Sequence, residues 1–283
     1  MKIFNRKNYL LTLASCLLMS PILPLHAESL SQQSPLPSSG RLYVGVFGGS
    51  GWATGDTLTQ QGTAFYADAS GGPLAVDAFG NARMYTPWFV GAHIGYQLPE
   101  QLFNTAYSTW GISPAAEFEG YYLSSTAHGD DINNDTSRAP EHDFSVHYPM
   151  NIRVFLINGV LDFNLAHHPR FHPYVGLGFG TAIVSVVEAI STQTQPPEVG
   201  INHYNSETNS VATTFAAQPK LGLRFDITKH ISAFAEYRFL YLANTNYTFG
   251  STVYATHVPT APWLVRMGPN YYNFGAIGLE YSL

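Results

Sequence analysis

Three features of the sequence together predict an all-β fold that crosses a membrane with strands. Charged residues make up only 11% of the chain and aromatic residues 14%, whereas a soluble domain carries about 25% charge. Mean hydropathy is −0.03, and the sequence after residue 27 contains no apolar run of helix-spanning length. Segments of alternating polarity recur up to residue 283, which is typical of strands with one lipid-facing and one lumen-facing side. We therefore predict an eight-stranded antiparallel transmembrane up-and-down β-barrel.

The N-terminal segment predicts export from the cytoplasm. Three basic residues lie among the first seven, an apolar run extends from 9 to 25, and a small residue, Ala27, precedes Glu28. A basic start, an apolar middle and a small-residue cleavage site define a secretory signal peptide. We interpret 1–27 as that signal peptide, cleaved after Ala27.

Two alternatives exist for this segment. An uncleaved membrane anchor is disfavoured because Ser20, Pro21 and Pro24 interrupt the apolar run. Cys16 follows Leu13-Ala14-Ser15, which also fits the signal for lipid attachment, but the sequence after Cys16 stays apolar. Because Cys16 is the only cysteine, cleavage after residue 27 leaves a chain whose stability owes nothing to disulfides.

Composition separates a leader from the barrel in the exported chain, and the net charge excludes nucleic acid as a partner. Residues 28–39 are rich in Ser and Pro and predict a flexible periplasmic leader, so the barrel is assigned to 40–283. Removal of the signal peptide removes three of the 13 basic residues and none of the 19 acidic residues, which leaves a net charge of −9. A charge of this sign excludes a nucleic-acid binder.

The first three predicted strands are 41–52, 88–98 and 112–122, in which apolar residues alternate with small or polar ones. In the third strand, Phe118 is expected to face lipid while its neighbours Glu117 and Glu119 face the lumen. Each strand is about as long as a tilted membrane crossing requires.

The fourth predicted strand, 144–163, is too long for one crossing and is expected to project beyond the membrane. We place Arg153 on its lumen side. That register puts Asn158 and Asp162 on the lipid side unless Gly159 marks a β-bulge.

The last four predicted strands are 174–187, 215–226, 231–243 and 271–283. Each of them alternates large apolar residues with glycine or charged residues. No helix is expected in the exported domain.

The connections between predicted strands alternate in length. The long ones, rich in Gly, Asn, Asp, Ser, Thr and Pro, are 53–87, 123–143, 188–212 and 244–270. The shorter ones are 99–111, 164–173 and 227–230. Short periplasmic turns and long external loops are typical of an outer-membrane barrel, whereas a periplasmic β-sandwich, the alternative fold, needs no such alternation.

Three runs of residues resemble a known family. They are Pro-Tyr-Val-Gly-Leu-Gly-Phe-Gly at 173–180, Asp-Ile-Thr-Lys-His-Ile-Ser-Ala-Phe-Ala-Glu-Tyr-Arg-Phe at 226–239, and Phe-Gly-Ala-Ile-Gly-Leu-Glu-Tyr-Ser-Leu at 274–283. They resemble the eight-stranded outer-membrane barrels grouped around opacity proteins and the transmembrane domain of outer membrane protein A. The resemblance covers about 40–283 and implies a location in the cell outer membrane of a Gram-negative bacterium, contact with outer-membrane lipids, and assembly through the C-terminal strand by the barrel-assembly machinery. Leu283 departs from the phenylalanine on which such barrels often end.

Alternation predicts a lumen cluster of four acidic and four basic side chains. Its members are Glu117, Glu119, Arg153, Lys220, Arg224, Glu236, Arg238 and Glu280. Because an eight-stranded barrel encloses only enough space for side chains, these charges are expected to pair. We interpret the cluster as an ionic plug; gating of a narrow pore and acid/base catalysis are the alternatives.

No catalytic residue, metal site or cofactor is predicted. His93 is expected to face inward, but no inward serine lies beside it, and Ser145-Val146-His147 reverses the His-x-Ser order of lipid A deacylases. Asp131, Asn133 and Asp135 fit positions one, three and five of a calcium loop, but the sixth position is Thr136 instead of glycine, so we interpret the segment as a solvated acidic loop. Three histidines between 167 and 172 are interpreted as a hydrated turn.

Seven aromatic residues lie at or near predicted strand ends, where interfacial belts of Trp and Tyr occur. They are Trp52, Trp88, Trp110, Tyr122, Tyr241, Trp263 and Tyr272. With four long loops on a plugged barrel, the leading functional hypothesis is a surface protein whose loops meet a host, phage or envelope ligand. A narrow channel or conduit for small solutes or apolar molecules is the alternative.

Overall fold

The structure is a computed structural model that describes residues 40–55, 57–99, 102, 110–134 and 142–283. The predicted signal peptide at 1–27 and leader at 28–39 lie outside the described residues. No helix in the described part of the chain is long and apolar enough to span a membrane.

Antiparallel strands dominate the described residues, which confirms the predicted all-β class. One short 3-10 turn, Asp68–Ser70, lies between two of the strands. The strands are β1 (Arg41–Thr54), β2 (Thr57–Ala64), β3 (Leu74–Gln97), β4 (Trp110–Asn134), β5 (His142–Leu165), β6 (Phe171–Val186), β7 (Ile190–Gln195), β8 (Ser210–Asp226), β9 (Ile231–Leu242), β10 (Thr245–Phe249), β11 (Trp263–Met267) and β12 (Asn270–Ser282).

Eight of these strands form a closed ring of antiparallel pairings. β1 pairs with β3 on one side and with β12 on the other. From β3 the ring continues through β4, β5, β6, β8 and β9 to β12. We call this set the eight-strand ring. It contains the eight predicted strand segments in their predicted order.

The β1–β12 pairing depends on glycine at the seam. A Cβ atom on Gly49 would lie 1.9 Å from the carbonyl oxygen of Gly275, whereas a Cβ atom on Gly275 would meet nothing within 4 Å. Only glycine at position 49 therefore lets the two backbones approach closely enough to close the ring.

Burial alternates along the ring strands and defines an inward and an outward face. On β4 the outward side chains are apolar from Ile112 to Tyr122 and then become polar, beginning with Ser124 and continuing to His128. On β5, where Arg153 pairs with Tyr122, the outward face changes from apolar to polar at the same level.

The four long connections, predicted as polar loops, instead contain strands. β2 and the first half of β3 make up most of 53–87, the end of β4 and the start of β5 make up the described part of 123–143, and shorter strands lie in the other two connections: β7 in 188–212, and β10 and β11 in 244–270. Their Gly, Asn and Thr content indicated loops. Those residues are nevertheless compatible with a two-residue alternation, as in Thr57–Ala64, where Leu58 and Gln60 are buried.

These added strands form a second folded region, which we call the β-extension: β2, β7, β10, β11, β3 up to residue 87, β4 from residue 123, β5 up to residue 150, and the turns between them. β2 pairs with β3 and β11, β11 with β10, and β7 with β5. Register shifts in the β3–β4 pairing, one of them between Tyr85 and Trp88, mark β-bulges near the junction with the ring.

Buried aromatic side chains in the β-extension continue the core of the eight-strand ring. Tyr148, Tyr204 and Phe249 are fully buried and stack on one another, with ring centroids 4.5 Å apart for Tyr204 and Phe249. The Tyr204 hydroxyl donates to Gln60 Oε1 at 2.5 Å and lies 2.7 Å from the Tyr148 hydroxyl. Burial raises the pKa of Tyr148 and of Tyr204, so these phenols remain neutral hydrogen-bonding groups.

The predicted register of the fourth strand is wrong. Arg153 faces outward and is exposed, while Asn158 and Asp162 face inward and are buried. The pairings of β5 with β4 and β6 run through Gly159 without a register shift. Both faces of this strand carry apolar residues, so alternation alone did not define the inward side.

Candidate functional site

The inward face of the eight-strand ring contains a buried cluster of charges. Seven of the eight predicted lumen residues are in it, and Asp162 takes the place assigned to Arg153. We call this set the interior charge cluster: Glu117, Glu119, Asp162, Lys220, Arg224, Glu236, Arg238 and Glu280.

One half of the cluster centres on Glu119. Arg238 Nη1 donates to Glu119 Oε1 at 2.5 Å, and Arg238 Nε donates to Glu236 Oε1 at 2.7 Å. Lys220 Nζ bonds Glu117 directly and lies 3.4 Å from Glu119 Oε2. The Arg238–Glu236 pair lies within β9, whereas the pairs of Lys220 and Arg238 with glutamates of β4 cross the interior between non-adjacent strands.

The other half centres on Arg224. Its Nη1 donates to Asp162 Oδ1 at 2.8 Å, and its Nη2 lies 3.1 Å from Glu280 Oε2. His93 Nε2 lies 3.5 Å from the same carboxylate oxygen of Glu280. This group connects β3, β5, β8 and β12.

Neutral side chains satisfy further oxygen atoms of these carboxylates. The hydroxyl groups of Tyr43 and Tyr174 donate to Glu117 and Glu236 at 2.9 and 2.8 Å, respectively. Gln218 Nε2 donates to Glu119 Oε1 at 3.0 Å. A buried charge is tolerated when it is both paired and hydrogen-bonded, and this arrangement meets both conditions for the three glutamates. Sequence reasoning did not select these tyrosines or the glutamine, because only their cross-strand partners distinguish them.

Aromatic rings fill the space beside the charges. The guanidinium carbon of Arg238 lies 3.9 Å from the centroid of the Phe47 ring, a cation–π contact. Phe89 and Phe274 pack on each other with centroids 4.5 Å apart. Ion pairs and rings together therefore occupy the interior at the level of Arg238.

The cluster carries an excess of acid. Its members are five carboxylates and three cationic side chains, because Asp162 is inside and Arg153 is outside. His93 is buried beside this cluster, with its Nε2 atom 3.5 Å from a carboxylate oxygen of Glu280.

Two of the seven predicted interfacial aromatics are not at a surface. Trp52, Trp88 and Trp110 are exposed on the outward face, and Tyr122 and Tyr241 are half-buried there. Trp263 and Tyr272 are instead buried, with 1% and 0% of their surface exposed. Nearness to a strand end predicts the height of a side chain along the strand, but the face depends on which neighbours the strand pairs with.

Among the weaker sequence candidates, His93 has a ring nitrogen within 4.8 Å of carboxylate oxygens of Glu117 and Glu119. The other candidates do not come together as sites within the part of the chain that the structure describes. His172 hydrogen-bonds Asn164 and Asp226 at 3.1 and 3.0 Å, which ties two strand ends together. His147 has His128 as a ring neighbour, with centroids 6.0 Å apart. The segment compared with a calcium loop and interpreted as a solvated acidic loop extends into 135–141, which lie outside the described residues.

Comparisons with known proteins give only distant similarities. No protein-family profile matches the chain, and no curated protein sequence matches it. Among solved structures, Neisserial surface protein A is 13% identical with a TM-score of 0.30, covering 85% of this chain and 96% of that one. The outer membrane protease OmpT from Escherichia coli is 11% identical with a TM-score of 0.36, covering 85% and 97%. The outer membrane protein OprG from Pseudomonas aeruginosa is 12% identical with a TM-score of 0.35, covering 87% and 97%.

Proposed function

We propose that this chain is an outer-membrane protein in which an eight-stranded β-barrel anchors the β-extension at the cell surface, where the extension meets a host, phage or envelope partner. The observation that carries the proposal is the eight-strand ring, apolar on its outward face and charged on its inward face. A barrel surrounded by water would be expected to have polar side chains on its outward face and apolar ones inside, because exposing apolar surface to water and burying charge are both unfavourable.

The height of the apolar band agrees with a membrane crossing. On β4 the band covers 112–122, and eleven residues at about 3.4 Å each, tilted by about 45°, span about 26 Å. An outer-membrane barrel has an apolar band about 25 Å tall. β4 and β5 contain 25 and 24 residues, so more than half of each strand extends beyond the band.

The positions of the short turn and of the C-terminal strand end indicate which side of the membrane the β-extension faces. The short turn at 227–230 lies beside the C-terminal end of β12, since His230 Nδ1 contacts the Ser282 carbonyl oxygen at 3.0 Å. Outer-membrane barrels keep termini and short turns in the periplasm and long connections outside. The β-extension therefore faces the exterior, the outward band contacts outer-membrane lipids, and β12 is the strand offered to the assembly machinery.

The interior charge cluster supports an anchor more than a channel or an enzyme. Its ion pairs cross the interior from β4 to β8 and β9 and from β5 to β8, and aromatic rings pack beside them. A filled interior of this kind holds strands together, and it brings no nucleophile and base together in a substrate-sized space.

Epitope insertion tests the orientation. We expect a peptide epitope inserted after Ser70, in the exposed turn between β2 and β3, to be stained by antibody on intact cells. The matched control is the same epitope after Lys229, in the turn at 227–230, which should be stained only after the outer membrane is permeabilised. Staining of the control but not of the Ser70 insertion on intact cells contradicts the proposal.

The insertion after Ser70 also tests partner binding. If the β-extension recognises a partner, adsorption of phage or adhesion of expressing cells to host cells should fall with this insertion and remain normal with the insertion after Lys229. The recognition role is contradicted if phage adsorption and cell adhesion are the same for three kinds of cell: those with the Ser70 insertion, those with the Lys229 insertion and those without the protein.

A narrow cation channel is the second candidate, and the acid excess of the interior charge cluster favours it. Five carboxylates against three cationic side chains give an interior that attracts cations. Conductance across a planar bilayer distinguishes this candidate from the anchor.

A further inference from the structure

Three side chains from two separate connections of the β-extension meet at one point. Glu198 and His203 lie between β7 and β8, and His257 lies between β10 and β11. Glu198 Oε2 is 3.4 Å from His203 Nε2 and 3.2 Å from His257 Nε2. All three atoms lie within 4.8 Å of one another. We call these residues the external His-Glu cluster.

The hydrogen bonds of the two imidazoles determine which ring nitrogen carries a proton. His203 Nδ1 lies 3.1 Å from the carbonyl oxygen of Ser191, and His257 Nδ1 lies 2.5 Å from that of Val258. Because a carbonyl oxygen only accepts hydrogen bonds, both Nδ1 atoms must be the donors. In the neutral rings, each Nε2 atom then directs a lone pair toward Glu198.

The cluster consequently brings three electron-pair donors together. Two imidazole lone pairs and a carboxylate oxygen repel one another unless a cation lies between them. Glu198 Oε2 is buried, and its contacts in the cluster are with the two Nε2 atoms. A carboxylate oxygen in that position is satisfied either by a proton on one of the imidazoles or by a metal ion.

The two separations from Glu198 Oε2 are compatible with a bound metal ion. Two nitrogen or oxygen ligands about 2.0–2.1 Å from a tetrahedral Zn²⁺ lie about 3.3 Å from each other. The two measured separations from Glu198 Oε2 are 3.4 and 3.2 Å. Imidazole with carboxylate also suits Zn²⁺ better than Ca²⁺ or Mg²⁺, which prefer sites made only of oxygen.

Surrounding side chains hold His203 in place. The ring is 2% exposed and packs edge-on against Phe144 and Trp263, at centroid distances of 5.3 and 5.6 Å. The His203 carbonyl oxygen accepts a hydrogen bond from Thr252 Oγ1 at 2.9 Å, and that hydroxyl accepts one from Trp263 Nε1 at 3.2 Å. Metal-binding histidines are characteristically oriented through their second ring nitrogen and their packing.

From this geometry we propose that the β-extension binds one Zn²⁺ ion through Glu198 Oε2, His203 Nε2 and His257 Nε2, with water as the fourth ligand. The ion links the β7–β8 connection to the β10–β11 connection. The inference goes beyond the proposed function and does not depend on it, because the site requires only the fold of the β-extension. The three residues have no recognisable spacing in the sequence, which explains why the sequence predicted no metal site.

Calorimetric titration of the full chain in detergent micelles, stripped with chelator and then titrated with Zn²⁺, tests the assignment. We expect one Zn²⁺ per chain in the unaltered protein. His257→Gln and Glu198→Gln should each weaken binding at least tenfold, since each removes a ligand. The matched control is His168→Gln, in the exposed turn between β5 and β6, which should leave affinity unchanged.

Two results would overturn the proposal: no saturable Zn²⁺ binding by the unaltered chain, or equal affinity in His257→Gln, Glu198→Gln and the control. Co²⁺ in place of Zn²⁺ provides a measurement that needs no variant. Intense visible absorption from a four-coordinate site supports the assignment, and the weak absorption of six-coordinate Co²⁺ contradicts it. These metal measurements use purified protein, so their failure is distinguishable from a failure of the display or adhesion tests.

Discussion

Arg238 is the residue on which the interior charge cluster depends most. Its guanidinium is fully buried, pairs with Glu119 and Glu236, and lies over the Phe47 ring. Removing one partner of a buried ion pair leaves the remaining charge without compensation, which costs about 3–5 kcal/mol. Arg153, on the outward face of β5, has no role of this kind.

We therefore predict that Arg238→Met lowers the free energy of unfolding by about 3–5 kcal/mol, whereas Arg153→Met, the matched control, changes it by less than about 0.5 kcal/mol. Urea unfolding of the protein refolded into lipid vesicles, followed by tryptophan fluorescence, measures both. Similar losses from the two variants would contradict the face assignment of β5 and the role of Arg238.

At the scale of single elements, β5 shows most clearly how one strand serves two environments. From Arg153 to Leu165 it belongs to the eight-strand ring, and from His142 to Met150 it belongs to the β-extension. Its outward side chains Phe155, Ile157 and Leu161 are exposed and apolar, whereas Ser145 and His147 are polar. Since the backbone pairing continues through both parts, the surroundings of the outward face must change along the strand.

This change can be measured with one substitution in each part. If lipid surrounds Ile157, Ile157→Arg should lower the free energy of unfolding by about 2–4 kcal/mol. Ser145→Arg, on the same face in the β-extension, should change it by less than about 0.5 kcal/mol. Both substitutions are made at accessible positions, so in a water-soluble protein both effects would be small; that outcome would count against a membrane crossing.

The elements also show where alternation was informative. β4, β8, β9 and β12 each have one apolar face and one face with charges or glycine, and the predicted inward residues of these strands are buried. β5 has leucine and isoleucine on both faces, so its inward side became evident only from its pairing, in which Glu117 lies opposite Asn158. A period of two locates a strand, but it does not identify the inward face when both faces are apolar.

At the scale of the whole molecule, the eight-strand ring and the β-extension differ in what they expose and what they bury. The ring has an interior cross-linked by charge and an outward apolar band, whereas the buried rings of Tyr148, Tyr204 and Phe249 stack in the β-extension and continue the core of the ring. β3, β4 and β5 run through both regions.

For the whole molecule we predict no steady conductance. Purified protein in a planar bilayer should show no resolved single-channel steps, because ion pairs and rings occupy the interior. Arg238→Met together with Phe47→Ala should raise the frequency of openings, since both substitutions remove interior volume near the level of Glu119. Steady cation-selective steps from the unaltered protein would favour the channel instead.

The sequence by itself determined the all-β class, the order of the eight ring strands and most of the charges inside the ring, because each depends on a local two-residue alternation that folding preserves. Only the tertiary structure decided the inward face of β5, the strands of the β-extension, the burial of Trp263 and Tyr272, and the meeting of Glu198 with His203 and His257. These features depend on contacts between residues far apart in the chain. No local pattern specifies such contacts, and strand pairing brings them about.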